Sequence, residues 1–151
     1  MASTISPATL TVTTTESITM NGSNMGATNT FSLASITEVN QRIVSIDATN
    51  VRTLFEFGAA VGSGTYVSPN VKYIRITNKD DSNPVRINIE SATSNCWEMV
   101  VAGASWSISS VSSAMDADDD TTIVAPTLQD IVKISAQSVY AIDLDCYIAS
   151  I

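Results

Sequence analysis

Residues 71–90 are VKYIRITNKDDSNPVRINIE, a segment in which aliphatic and polar residues alternate on both sides of a polar centre. This period of two is typical of strands that bury one face. The central residues 78–84, NKDDSNP, are rich in turn formers. We therefore predict one β-hairpin, with its aliphatic face in the core and with Arg75 and Arg86 on its other face. The predicted buried face consists of Ile74, Ile76, Val85, Ile87 and Ile89.

Further short strands are predicted along most of the chain, because β-branched residues are frequent and apolar residues alternate with polar ones. In the segment 51–57, Val51, Thr53, Phe55 and Phe57 share one predicted face. The other predicted strands lie within 10–15, 31–36, 41–48, 66–67, 96–101, 105–109, 131–136 and 139–151.

Two local features add detail to this pattern. CWEMVV at 96–101 and SWSIS at 105–109 flank a short Ala-Gly-Ala segment and predict a second hairpin. Around 34–44, apolar residues also recur at helical spacing, so a helix is an alternative to strands there.

Turn signals recur every 8–12 residues, and strands do not alternate with helices, which is typical of an antiparallel sandwich or barrel. We predict an all-β, antiparallel β-sandwich, jelly-roll-like, with about nine to eleven short strands. Residues 1–8 are predicted to form a flexible N-terminal arm, and residues 9–151 a single β-sandwich domain.

Composition excludes several classes of function. The formal net charge is −8, so free nucleic acid and anionic membranes are poor partners. No apolar run approaches the roughly 20 residues of a membrane-spanning helix. The chain contains no histidine, which excludes Ser-His-Asp and Cys-His catalysis. We therefore expect no enzyme activity and no cofactor.

The only cysteines are Cys96 and Cys146. We expect both to be reduced and buried as small apolar residues, and a disulfide between them is the alternative. The N-terminus has no basic region followed by an apolar one, so we predict no signal peptide and a chain that begins as a soluble product in the cytoplasm.

Three groups of residues are candidates for chemistry. Oxygen ligands at alternate positions make Asp116, Asp118 and Asp120 a calcium candidate, although the loop lacks the glycine and glutamate of an EF-hand, and a solvated acidic loop is the simpler interpretation. Carboxylate pairs serve glycoside hydrolysis, and exposed tryptophans bind sugars, but core or interface roles are commoner for such aromatics. The residues concerned are Glu98, Asp143, Asp145, Trp97 and Trp106.

Four of the seven basic residues lie in the segment 71–90. Cross-strand pairing with Glu90 or other acids would explain them. Alternatively, they form a docking surface that meets an acidic patch on a neighbour, such as residues 116–120 of the next subunit. These interface candidates are Lys72, Arg75, Lys79 and Arg86.

The chain is small, acidic and predicted to be all-β, and it has no histidine and no predicted signal peptide. In these properties it resembles the small virion structural proteins of tailed bacteriophages, above all capsid decoration (cement) proteins. The segments that carry the resemblance are KYIRITNKDDSNPVRINIE at 72–90, VAGASWSISS at 101–110 and IDLDCYIASI at 142–151. The resemblance implies a β-sandwich or jelly-roll-like fold. It also implies a homo-oligomer, often a trimer, that sits on the major capsid protein at the virion surface and reinforces contacts between capsomers.

The expected function is therefore that of a non-enzymatic virion component that stabilises an assembled capsid. The alternatives are a head fibre, a tail adaptor, a tail-tube or baseplate protein, and a carbohydrate-binding module. The last of these requires Trp97 and Trp106 to be exposed together.

Overall fold

The computed structural model describes residues 5–62, 64–116 and 127–151, which form fifteen strands and one short 3-10 turn. The all-β prediction is confirmed. Four strands contain only two residues, and the other eleven match the upper end of the predicted number. No helix in the described part of the chain is long and apolar enough to cross a membrane. The chain divides into two compact units, residues 1–38 with Ile151, and residues 39–150.

The first unit is a two-stranded antiparallel ribbon. Its long strands are β1 (Ala8–Thr15) and β4 (Thr28–Ile36), and a small hairpin between them is formed by β2 (Thr19–Met20) and β3 (Ser23–Asn24). Asn21 and Gly22 have φ angles of 51° and 79° in the tight turn, as an Asn-Gly hairpin requires. The predicted arm 1–8 extends into the first residue of β1, and residues 1–4 lie outside the described residues.

The second unit contains two sheets whose inner faces form one buried hydrophobic cluster, as in a sandwich. The four-stranded sheet has the order β11-β8-β15-β5 and the five-stranded sheet the order β10-β9-β14-β6-β7, antiparallel except for the β6–β7 pair. Their bounds are β5 (Glu38–Ile46), β6 (Val51–Gly58), β7 (Thr65–Val67), β8 (Val71–Asn78), β9 (Val85–Glu90), β10 (Asn95–Val100), β11 (Ser105–Ile108), β14 (Lys133–Gln137) and β15 (Ile142–Ser150). A separate pair consists of β12 (Met115–Asp116) and β13 (Leu128–Gln129).

The predicted hairpin at 71–90 is wrong. β8 pairs with β11 and β15, whereas β9 pairs with β10 and β14, so the two arms lie in opposite sheets. Both arms still bury their aliphatic residues, because each sheet turns one face to the common core. The second predicted hairpin, at 96–109, is wrong for the same reason, since β10 and β11 also lie in different sheets. The connections β5–β6 and β14–β15 cross between the sheets as well.

The helix considered around 34–44 is absent, and β4 and β5 occupy that segment. Ser35 has a φ angle of 63°, which a right-handed helix does not allow.

The connection between β8 and β9 is held by the side chain of Asn78, which is completely buried. Its Nδ2 donates to the carbonyl oxygens of Asn83 at 2.8 Å and Val100 at 3.3 Å, and its Oδ1 accepts from the Asp80 N–H at 3.0 Å. The Asp80 carboxylate in turn accepts the backbone N–H of Ser82 and of Asn83, which lowers the pKa of Asp80. These bonds make a polar segment into an ordered crossing.

Two arginines join the sheets near the β5–β6 connection. Arg42 of β5 donates to the Leu54 carbonyl oxygen of β6, and Arg52 of β6 donates to the Ser45 carbonyl oxygen of β5 at 2.7 Å. Arg42 also lies over the ring of Phe55, with 5.8 Å between the guanidinium carbon and the ring centre. The charged side chains therefore cross between the sheets where the apolar core ends.

Both cysteines are free thiols, but only Cys146 is buried. The expectation of two buried cysteines is thus wrong for Cys96, which lies on β10 at the edge of its sheet. Burial raises the pKa of Cys146 from its ordinary value of 9.0 to about 12, partly offset by Arg42 and reinforced by Asp145.

We predict that a disulfide-exchange reagent at pH 8 labels one thiol per native chain and two per denatured chain, because only the Cys96 thiol is exposed to the reagent. The Cys96→Ser variant should show no fast-reacting thiol. Since the pKa of Cys146 is raised on folding, its stabilising contribution is complete below pH 9.0 and declines as the pH rises towards 12. Labelling of both thiols in the native protein would contradict the burial of Cys146.

We predict that Asn78→Leu lowers the free energy of unfolding by about 1–3 kcal/mol, because buried partners of Asn78 lose their hydrogen bonds. Urea unfolding measures the effect. The control is Asn95→Leu, a substitution of an exposed residue in β10, which should change the value by less than about 0.5 kcal/mol. Equal effects would show that Asn78 does not hold the crossing.

Candidate docking surface

The four candidate cations do not form one strip. Because β8 and β9 belong to opposite sheets, Arg75 and Arg86 project from opposite outer faces of the sandwich. The predicted common face is therefore wrong. The period of two was assigned correctly in each strand, but the two strands are not neighbours.

Arg75 is engaged within its own sheet. Its Nη2 lies 2.8 Å from Asp145 Oδ2, its Nη1 donates to Thr77 Oγ1 at 2.9 Å, and its guanidinium carbon is 5.9 Å from the ring centre of Tyr147. Gln41 Nε2 donates to both Asp145 oxygens, at 3.1 and 3.3 Å. Arg75 thus pairs across strands, with Asp145 in place of Glu90, and links β8 to β15.

The two lysines of the group are also surrounded by groups of their own chain. Lys72 Nζ donates to the Pro69 carbonyl oxygen at 2.9 Å. Lys79 is exposed and lines a cleft together with the carboxylates of Asp80 and Asp143. Neither lysine offers an isolated positive charge to a partner.

Arg86 differs from Arg75 and Lys72 in making no such bond, and from Lys79 in lining a depression that contains no acidic residue. It is exposed, and its guanidinium makes no hydrogen bond or ion pair with any described residue. It lies on the outer face of the five-stranded sheet, where Met99 of β10 and Gln137 of β14 are its direct neighbours across the strands. Val51 of β6 continues this row beyond Gln137.

Exposed apolar side chains surround Arg86 and define what we call the outer patch. Met99 is 66% exposed, Val139 61%, Val51 57% and Trp97 44%. Met99, Val139 and Pro84 line one shallow depression together with Arg86. Trp97 precedes Met99 by two residues and so shares its face of β10. The outer patch consists of Val51, Pro84, Arg86, Trp97, Met99 and Val139.

The polar residues beside the outer patch explain why Arg86 has no acidic partner among the described residues. Glu90 Oε2 lies 2.8 Å from Lys133 Nζ, and Glu90 Oε1 accepts from Asn88 Nδ2 at 2.7 Å. Glu90, the carboxylate closest to Arg86 in sequence, is therefore already bound by Lys133 and Asn88. Asn88 Oδ1 is buried and has no hydrogen-bond partner among the described atoms. This leaves Arg86 as a charge that can pair with a carboxylate from outside the chain.

The carboxylates considered for catalysis do not converge. Asp143 accepts from Ser45 Oγ at 2.6 Å and Asp145 is held by Arg75, both on the outer face of the four-stranded sheet. Glu98 lies on β10 in the other sheet. Nothing in these positions resembles the facing carboxylate pair that glycoside hydrolysis needs.

The two tryptophans also lie apart. Trp97 is exposed on the five-stranded sheet, whereas Trp106 of the four-stranded sheet is partly buried against the core. They do not form one exposed platform, which the carbohydrate-binding alternative required.

The calcium candidate lies outside what the structure describes, since Asp118, Asp120 and the side chain of Asp116 are not among the described parts of the chain. Within residues 5–62, 64–116 and 127–151, no group of three or more His, Cys, Asp and Glu residues is placed to hold a metal ion.

Sequence reasoning missed Val51, Met99 and Val139 as surface residues. Val51 was assigned to the same face as Phe55, but the pairing of β6 shifts at Leu54, so Leu54 and Phe55 are both buried. This β-bulge turns Val51 outward. The available signal at Met99 was the alternation of Trp97 and Met99 with Cys96 and Glu98, and that pattern alone does not show which face of the strand is exposed.

We found no match to this chain among protein-family models, curated proteins or solved structures.

We predict different effects on stability for the two arginines. Arg75→Met should lower the free energy of unfolding by about 1–3 kcal/mol, because it leaves the mostly buried Asp145 carboxylate without its cation. Arg86→Met is the matched control and should change it by less than about 0.5 kcal/mol. Urea unfolding of both variants measures the difference. A larger loss of unfolding free energy in Arg86→Met than in Arg75→Met would contradict the assignment of Arg75 as the structural cation.

Proposed function

We propose that this protein is a non-enzymatic virion component that binds an assembled capsid as an oligomer and stabilises it, as decoration proteins do. The observation that supports this most directly is the outer patch. An unpaired guanidinium lies among exposed apolar side chains, on a chain whose formal net charge is −8. Interfaces favour arginine and aromatic residues at their centre, and an acidic surface on the partner would pair with Arg86.

We also propose that the sandwich is a jelly roll. Four connections, β5–β6, β8–β9, β10–β11 and β14–β15, each join a strand of one sheet to the strand at the same position in the other. Such an exchange of consecutive strands between two sheets of four is how a double-sheet jelly roll is connected, a fold that occurs in viral capsid and lectin domains. The fold is compatible with the proposal and does not by itself indicate a function.

Stabilisation of a shell requires buried interface area and no covalent chemistry. Val51, Arg86, Trp97 and Met99 of the outer patch lie on paired strands, so these side chains are held by the backbone ladder, while Pro84 and Val139 lie in connections beside them. A partner that covers it loses little conformational entropy on the protein's side. These properties suit a protein that binds a preformed surface.

We predict that the double variant Arg86→Glu, Met99→Asp binds undecorated capsid shells at least about tenfold more weakly than the wild type, because it removes the cation and the exposed apolar side chain directly beside it. Co-sedimentation with shells measures binding. The control is Lys72→Glu, Lys79→Gln, which makes the same change in net charge away from the outer patch.

Two results would contradict the proposal. Absence of binding by the wild-type protein, or no gain in the heat resistance of the shells, would exclude a decoration role. Localisation in a ring at a single vertex of the particle would favour the alternative of a tail adaptor, head fibre, tail-tube or baseplate component.

A further inference from the structure

One carboxylate on the outer face of the five-stranded sheet contacts a lysine and an amide at the same time. Glu90 Oε2 lies 2.8 Å from Lys133 Nζ, and Glu90 Oε1 accepts from Asn88 Nδ2 at 2.7 Å. Ser135 Oγ donates to the same Oε1 at 3.4 Å. An amine, a carboxamide and a carboxylate that contacts both are the groups needed to form an amide bond between two side chains.

Strand pairing brings these groups together. Lys133 of β14 stands directly opposite Glu90 of β9, and Ser135 stands opposite Asn88. Lys133 is therefore the diagonal neighbour of Asn88 on the same face, a separation that a long side chain spans. Because paired strands hold all four residues, the amine and the carboxamide meet at a high effective concentration.

Asn88 differs from an ordinary surface amide in its surroundings. It is only 5% exposed, although it lies on an outer face of the sandwich. Its Oδ1 is buried and has no hydrogen-bond partner among the described atoms. A buried oxygen without a donor is costly, and a reactive role is one reason for a protein to retain it. The low exposure also keeps water from competing with the lysine for the amide carbon.

A second group in the chain has the same order of cation, carboxylate and amide, but it cannot react. It consists of Arg75, Asp145 and Gln41, and its guanidinium stays charged and is no nucleophile. A lysine amine becomes a nucleophile once it gives up a proton. Of the three lysines, only Lys133 forms an ion pair with a described carboxylate. The reactive combination is therefore specific to the group around Glu90.

We propose that Lys133 and Asn88 join in an isopeptide bond, with Glu90 as the proton carrier. A proton passes from Nζ to the Glu90 carboxylate, and the Nζ lone pair forms a bond to Cγ of Asn88. The Cγ–Nδ2 bond then breaks, and its electron pair leaves with the amide nitrogen, which takes one proton from Glu90 and one from Nζ. The products are a secondary amide and an ammonium ion, so no further reactant is needed. The side chains of Lys133 and Glu90 are 35% and 24% exposed, which gives the ammonium ion a path to solvent.

The bond ties β9 to β14 and closes a covalent loop over residues 89–132. Closing a long loop restricts the unfolded chain and so favours the folded state. The reaction takes place within one chain, so it does not depend on the proposed function.

Intact-mass spectrometry of the full-length protein, incubated in its folded state and then denatured, tests the proposal. The wild type should be lighter by one ammonia than its sequence, whereas Lys133→Arg and Glu90→Gln should keep the full mass. The matched control is Lys79→Arg, which changes an exposed lysine outside the group and should lose ammonia as the wild type does. The count of one reactive thiol per native chain shows that each variant is folded.

Peptide mapping of the wild type locates the bond and needs no variant. After proteolysis, the peptide that contains Asn88 should be covalently joined to the one that contains Lys133. This result distinguishes the isopeptide bond from a succinimide at the exposed Asn21-Gly22 pair, which also releases ammonia but leaves these peptides separate.

Three results would overturn the proposal. They are a wild type that keeps its full mass after prolonged incubation, separate peptides in the map, and a loss of ammonia that persists in Lys133→Arg. Loss of ammonia by Glu90→Gln at the wild-type rate would overturn the role of Glu90 as the proton carrier.

Discussion

The buried amide of Asn78 holds the crossing on which both sheets depend. β8 ends at Asn78, and its side chain bonds to the carbonyls of Asn83 and Val100 and to the N–H of Asp80. The chain can therefore leave one sheet and enter the other without an unsatisfied polar group in the core, which would cost about 1–3 kcal/mol. With the crossing in place, Ile74 and Ile76 face the core from one sheet, and Val85 and Ile87 face it from the other.

The same crossing determines the surface chemistry. Because it sends β9 to the other sheet, Arg86 is removed from Asp145, which binds Arg75. Glu90, the carboxylate closest to Arg86 along the chain, is occupied by Lys133 of β14. The result is one arginine bound within its sheet and one that makes no ion pair with any described residue. The distinction follows from strand order and not from any property of the two arginines.

The two units differ in core and in charge. The second unit has a large buried core and contains all seven basic residues. Of the described residues of the first unit, only Ile36 is buried, and Glu16 and Glu38 are its only charged side chains. The two ion pairs found among the described residues, Arg75–Asp145 and Lys133–Glu90, therefore both lie in the second unit.

The sequence by itself determined the fold class and most of the strands, because the alternation of apolar and polar residues identifies the buried face of a strand. It placed Ile74, Ile76, Val85 and Ile87 in the core correctly. Only the tertiary structure decided which strands are neighbours. The alternation of β8 and β9 is the same whether they form a hairpin or face each other across a core, because a period of two reports the buried face and carries no information on the paired edge. The bulge at Leu54 and the separation of Arg75 from Arg86 escaped prediction for the same physical reason.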